Sequence, residues 1–202
     1  MSLRPRKRVI QTRSPILIVC EGDFELSYFN ALKSLKFARE RLSVSVELTH
    51  GGKHVKVLET VEKLSKNRSF DEIWCVFDAE GDAERTLLTA TLKRCRQKKF
   101  HVALSNPCFD AWVLAHLGAW PTDRITTEKC KQMLRKQCNC EPDVCNNAWV
   151  QEKICGGTEF KKLPSALESA RHFSPDEWEK ILENNPSTSV GSLGGKLTGG
   201  KA

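Results

Sequence analysis

Two hydrophobic runs of this chain end on acids: Pro15-Ile-Leu-Ile-Val-Cys-Glu21-Gly-Asp23 and Asp71-Glu-Ile-Trp-Cys-Val-Phe-Asp78-Ala-Glu80-Gly-Asp82. The continuous apolar stretches Ile16 to Cys20 and Ile73 to Phe77 have the pattern of strands covered on both faces, as in a parallel sheet. The carboxyl ends of such strands open on a shared crevice, the usual place for a ligand. If the two strands are neighbours, Glu21, Asp78 and Glu80 meet there. Crowded carboxylates repel one another unless a cation joins them, and hard oxygen donors suit Mg2+ or Mn2+. These residue types therefore point to metal-dependent phosphoryl transfer.

Helices and strands must alternate to hold such acids in place. Phe24, Tyr28, Leu32 and Leu35 recur at helical spacing and predict a helix reaching about Lys36. Leu42, Val44, Val46 and Leu48 alternate with polar residues as a second strand. A turn, His50-Gly-Gly-Lys53-His54, precedes a helix carrying Val57, Leu58, Val61 and Leu64. After the strand that ends at Asp78 come a helix with Leu87, Leu88 and Leu92 and a short strand from Phe100 to Leu104. This alternation implies βαβ crossovers and an α/β layer fold with a mainly parallel sheet.

From Asn106 onward the patterns are helical, without a convincing strand. Asn106 is expected to cap a helix starting at Pro107 and carrying Phe109, Trp112, Val113, His116 and Leu117. Further helices are expected at Thr126 to Gln137, Leu163 to Arg171 and Pro175 to Glu183. The division expected is a basic flexible arm (1–14), an α/β core (15–117), a helical, Cys-rich extension (118–190) and a glycine-rich mobile tail (191–202).

Composition narrows the partners. Against 25 Asp and Glu stand 32 Lys and Arg, a net +7 that favours polyanions through phosphate contacts. No apolar run approaches the ~20 residues of a membrane span, and the opening MSLRPRKR lacks the apolar core of a signal peptide. A cytoplasmic protein without membrane contact is expected. The nine cysteines are scattered and odd in number, which favours reduced thiols. Five of them, Cys130, Cys138, Cys140, Cys145 and Cys155, gather closely enough for a structural Zn2+, although their spacing lacks paired Cys-x2-Cys knuckles.

Weaker features admit two readings each. In the Gly51-Gly52-Lys53-His54 turn, Lys53 or His54 could meet a nucleic-acid phosphate; an ordinary strand-to-helix turn is the plainer account. Trp149 and Trp178 could stack on bases or pack in the core, and the repeat of Trp178 with Ile181 and Leu182 favours packing. His101, His116 and His172 sit among apolar positions as structural residues.

Glu21-Gly22 after one strand and an Asp-x-acid pair after a later one resemble the Toprim domain of topoisomerases, primases and nucleases. With Ile16-Leu-Ile-Val-Cys-Glu-Gly-Asp23, Trp74-Cys-Val-Phe-Asp-Ala-Glu80, Ser105-Asn-Pro-Cys-Phe-Asp-Ala-Trp112 and Asn185-Pro-Ser-Thr-Ser189 in this order, the chain resembles the RloB-like family of bacterial defence proteins, regarded as Toprim nucleases. The resemblance is weakest from Gly118 to Ser174. It implies a Toprim-like Rossmannoid layer fold with a C-terminal helical extension. It also implies that Glu21 is the Toprim glutamate, that Asp78 and Glu80 are the paired acids, and that Asp110 is a further catalytic acid. Glu80 stands where most relatives carry Asp, so Asp82 or Glu84 is a substitute metal ligand; Ser105 and Asn106 either meet a phosphate or cap the helix.

The activity so implied is Mg2+- or Mn2+-dependent cleavage of DNA or RNA in an antiphage system with a partner ATPase; a homo-oligomer is compatible with it. Topoisomerase chemistry needs a nucleophilic tyrosine, and the single Tyr28 lies in an amphipathic helix where packing is its simpler task. The competing class is a noncatalytic nucleic-acid-binding or adaptor subunit with the same fold. A phosphatase of small phosphoesters ranks third, because the basic charge and arm suit a long polyanion.

Overall fold

The computed structural model describes residues 13–49, 54–80, 85–138, 147–157 and 160–200. The first half alternates as the apolar patterning requires: β1 (Ser14–Cys20), α1 (Asp23–Lys33), α2 (Lys36–Arg41), β2 (Leu42–Leu48), α3 (His54–Asn67), β3 (Glu72–Asp78), α4 (Arg85–Gln97) and β4 (His101–Asn106). The helix after β1 is shorter than its periodicity predicts. It stops at Lys33, where the Ser34 hydroxyl donates to the Ala31 carbonyl at 2.6 Å, and α2 resumes after Leu35.

The second half is α5 (Phe109–His116), α6 (Thr127–Cys138), α7 (Asn147–Trp149, running into a π-helical turn Val150–Ile154), α8 (Leu163–Ser169), α9 (Trp178–Glu183), β5 (Ser187–Thr188) and α10 (Val190–Thr198). The sheet order is β2-β1-β3-β4-β5, all parallel except β5, which runs antiparallel to β4. Because β1 pairs with β2 on one side and β3 on the other, the strand order reverses between β1 and β3, the position where sheets of this kind open a ligand crevice.

Side-chain alternation sorts the core into two layers. Ile16, Ile18, Cys20, Trp74 and Val76 pack against α1, α5, α6, α8 and α10, while Leu17, Val19, Cys75 and Phe77 pack against α3, α4 and α9. Every residue of α5 is buried, so it is the central helix of its layer and is apolar nearly all round. Residues of the expected helical extension, among them Ile125, Leu134 and Leu163, belong to the same packed cluster as Ile16 and Trp112.

Three expectations for the second half are corrected. The segment after Asn106 does contain a strand, β5, two residues long and thus too short for a period-2 signal. Asn106 does not cap α5. It ends β4, and its amide donates to the Ile181, Leu182 and Asn184 carbonyls at 2.8, 3.3 and 2.9 Å, while Ser105 pairs with Thr188. Finally, the glycine-rich end is not a loose tail through residue 198: α10 is a helix with Val190, Leu193 and Leu197 fully buried. Its glycines allow the close approach, since a methyl group at Gly191 would collide with Leu167 and His172.

A candidate carboxylate site at the carboxyl edge of the sheet

The register of β1 on β3 pairs Val19 with Cys75, which brings Glu21 and Asp78 to nearly the same height on adjacent strands. On the other side Asp78 pairs with Ser105 of β4, five residues before Asp110 in the first turn of α5. Alternation then separates the side chains. Asp78 follows Trp74 and Val76 toward the α1/α5 layer, whereas Glu21 leans toward α3, where its Oε1 lies 2.7 Å from His54 Nδ1.

Asp78 is the centre of the group. Its Oδ1 is shut off from solvent and has no hydrogen-bond partner among the described residues. Its proton affinity is raised well above that of an ordinary aspartate, first by burial and then by the charges of Glu25, Glu21, Asp110 and Glu80, in that order. Asp110, buried, is also pushed upward, chiefly by desolvation; Lys131, a contact from the Cys108 thiol at 3.8 Å and Arg135 pull it back. Glu80 sits at the exposed mouth. Its φ of 39° is a left-handed conformation that a glutamate seldom adopts, and its amide donates to the Pro107 carbonyl at 3.0 Å.

Glu25 is the member that motif reading did not single out. It is 7% exposed, and burial, followed by the neighbouring charges of Glu21, Asp110 and Asp23, raises its pKa to about 7, against the lowering effect of a backbone hydrogen bond. Gly22 makes this possible: the Glu25 carboxylate folds back over the strand end into the space a Cβ at residue 22 would occupy. A signal was present, because Glu25 lies three and four residues before the buried Tyr28 and Phe29 and so falls on the apolar stripe of α1.

Glu25, Glu21, Asp110 and Glu80 thus lie near enough for their charges to act on Asp78, with Glu80 exposed at the rim. Asp82, Glu84 and Lys53 lie outside the described residues, as do Cys140 and Cys145 of the cysteine group. His54, expected as a nucleic-acid contact, is instead 1% exposed and turned inward to hold Glu21; with Glu21 ionised, Nδ1 carries the shared proton. Tyr28 is a core residue, with its hydroxyl 3.1 Å from His116 Nε2, and Trp178 is buried beneath Arg96.

The donor set suits a hard divalent ion. Among the described residues no three His, Cys, Asp or Glu side chains form a group that could by itself hold a metal ion. Mg2+ does not require one: it keeps much of its water and commonly binds through one or two carboxylates together with substrate phosphates. A buried, unpartnered carboxylate oxygen amid other acids is the electrostatic setting in which such a cation gains most.

A family model described as RloB-like protein matches residues 16–197. No curated protein and no solved structure matches the chain. Among the described residues no helix is long and apolar enough to cross a membrane.

Proposed function

The chain belongs to the RloB-like family, and from that premise and the carboxylate geometry we propose that it is a Mg2+- or Mn2+-dependent nuclease of the Toprim type, hydrolysing phosphodiester bonds in DNA or RNA. The observation that carries the reading is the unpartnered, buried Asp78 oxygen at the point where the strand order reverses, with Glu25, Glu21 and Asp110 around it. An antiphage setting and a partner ATPase come with the family resemblance.

In this reading Asp78 and Glu25 hold the divalent ion, with Glu21 or Asp110 beside them. Bound there, the ion supplies Lewis-acid polarisation of the phosphate and a lowered pKa for the attacking water. The chain's own groups do the rest. Glu21, where it is not itself a ligand, can take the proton released as the water oxygen bonds to phosphorus, or return one to the departing oxygen as the P–O bond breaks. His54 fixes the rotamer of Glu21, and the burial of Glu25 and Asp110 limits the screening of their charges by bulk water.

The second reading, a noncatalytic nucleic-acid-binding or adaptor subunit, draws on the fact that no three ligand side chains are preassembled among the described residues. One assay separates the two: purified protein, alone and with its ATPase, is incubated with DNA and RNA in Mg2+ or Mn2+, beside Glu21→Gln and Asp78→Asn. Metal-dependent cleavage that both variants lose supports the nuclease. Binding without cleavage under all conditions supports the adaptor.

A further inference from the structure

The amino edge of the sheet, opposite the acids, holds a cavity of about 630 Å³, within the range that takes a small organic ligand. It lies between the first residues of β3 and β4 on one side and α10 on the other, with the segment before α9 at its flank. Glu72 lines it, and the six steps of β3 from Glu72 to Asp78, about 3.3 Å each, put roughly 20 Å between the cavity and the carboxylate crevice. The two are separate sites.

The sheet side of the cavity is aromatic. Trp74 and His101 are cross-strand partners on one face of the sheet, their rings stacked with centroids 4.8 Å apart and planes 25° apart. Trp74 is 4% exposed and backs the stack, whereas His101 is half-buried and reaches the open space. Neither ring nitrogen of His101 makes a hydrogen bond among the described residues.

The helix side is polar. Ser192 and Lys196 stand one turn apart on α10, and His172 Nε2 lies 3.4 Å from the Ser192 hydroxyl. Glu72 is spent on its neighbours: its Oε2 accepts from the Trp74 indole at 3.2 Å and its Oε1 pairs with Lys196. That pair is neutral as a whole, and Asp176, exposed at the mouth, is negative. The lining thus offers a phosphate no unpaired Lys or Arg among the described residues. It offers a flat ring to stack on and, beside it, the two N–H donors that Lys196 keeps beyond its bond to Glu72 and the hydroxyl of Ser192.

We propose that this cavity binds an uncharged purine base, stacked on His101 with Trp74 behind it and met along its nitrogen and oxygen edge by Lys196 and Ser192. Stacking on an aromatic side chain gives affinity without charge, and the ring acceptors of a purine take the donors of the helix side. The inference does not depend on the nuclease reading.

The test is saturation-transfer NMR with adenosine, titrated to an apparent Kd, and with ribose 5-phosphate as the probe that lacks a base. Wild type is compared with His101→Ala, with His101→Phe, which keeps a ring to stack on, and with Ser192→Phe, which fills the cavity from α10. Thermal melts check folding. Transfer to the adenine ring protons is expected in the wild type and in His101→Phe, with none to ribose 5-phosphate. His101→Ala should bind about 5- to 150-fold more weakly, the range of one lost base–aromatic stack, and Ser192→Phe should not bind.

No transfer to adenosine at about 1 mM in the wild type, equal transfer to ribose 5-phosphate, or equal affinity of wild type and His101→Ala would each overturn the proposal. Competition identifies the source of the base. Displacement of adenosine by single-stranded oligoadenylate, but not by an abasic strand of the same length, means a base presented by a polymer; displacement by neither means a free nucleoside or nucleotide. Displacement by the abasic strand as well would show recognition of the backbone and sink the purine site.

Discussion

The two ends of β3 carry acids in opposite circumstances. At the amino end, Glu72 accepts a hydrogen bond from the Trp74 indole at 3.2 Å and forms an ion pair with Lys196 of α10. At the carboxyl end, six residues away, Asp78 has a buried oxygen with no partner, and its main electrostatic neighbours are four other acids. Folding alone would select the first arrangement, because an uncompensated buried carboxylate lowers stability. The second is the arrangement that the proposed metal site calls for, with the missing charge supplied from outside the chain.

The sharpest way to break this contrast is to remove the charge at each end. Asp78→Asn is expected to lower metal-dependent cleavage by roughly 100- to 1000-fold, the scale of losing several kcal/mol of transition-state stabilisation, while its melting temperature in chelator stays at or above that of wild type. Steady-state cleavage assays and thermal melts in EDTA check both halves.

The next effect is on pH dependence. Glu25 has its folded pKa raised from 4.5 to about 7, so the folded state binds this proton more tightly than the unfolded state does. Its contribution to stability is full below pH 4.5 and is lost as pH rises through about 7, on the order of 3 kcal/mol in the absence of metal. Glu25→Gln should flatten this part of the stability–pH profile measured by urea unfolding. At pH 8 it should also unfold at higher urea concentration than wild type.

Gly191→Ala disturbs the compensated end, since the added methyl meets Leu167 and His172 and loosens the helix that brings Lys196 to Glu72. A fall of roughly 2 to 12 °C in melting temperature is expected by differential scanning fluorimetry, with the response to metal preserved. The smallest effect belongs to Glu72→Gln. Its ion pair is partly exposed, so the loss should be at most about 1 kcal/mol in denaturant melts, without change in cleavage.

Much of this was legible in the residues themselves. The buried parallel strands declare themselves as apolar runs, and β2 through its alternation, because covering one or both faces leaves a regular pattern. Their order in the sheet sets the carboxyl ends of β1, β3 and β4 side by side, and with them the backbone positions of Glu21, Asp78 and the turn that leads to Asp110. What escaped is what depends on contacts distant in sequence. Glu25 looks like an ordinary acid in the first turn of a helix until the fold buries it over Gly22 and within reach of the Asp110 charge. The glycines of α10 signal flexibility locally, and only the close packing of α8 and His172 against Gly191 turns them into a helix-packing surface. His54 follows two glycines like a phosphate contact, yet the start of α3 directs its ring inward to Glu21.

Manganese uptake by the wild type and by Asp78→Asn, followed by electron paramagnetic resonance of free Mn2+ without nucleic acid, tests the central claim most directly. The account expects uptake by the wild type that strengthens as pH rises through about 7, when Glu25 gives up its proton, and its loss in the variant. Equal uptake by both proteins, or none by the wild type at any pH up to 8, would contradict it.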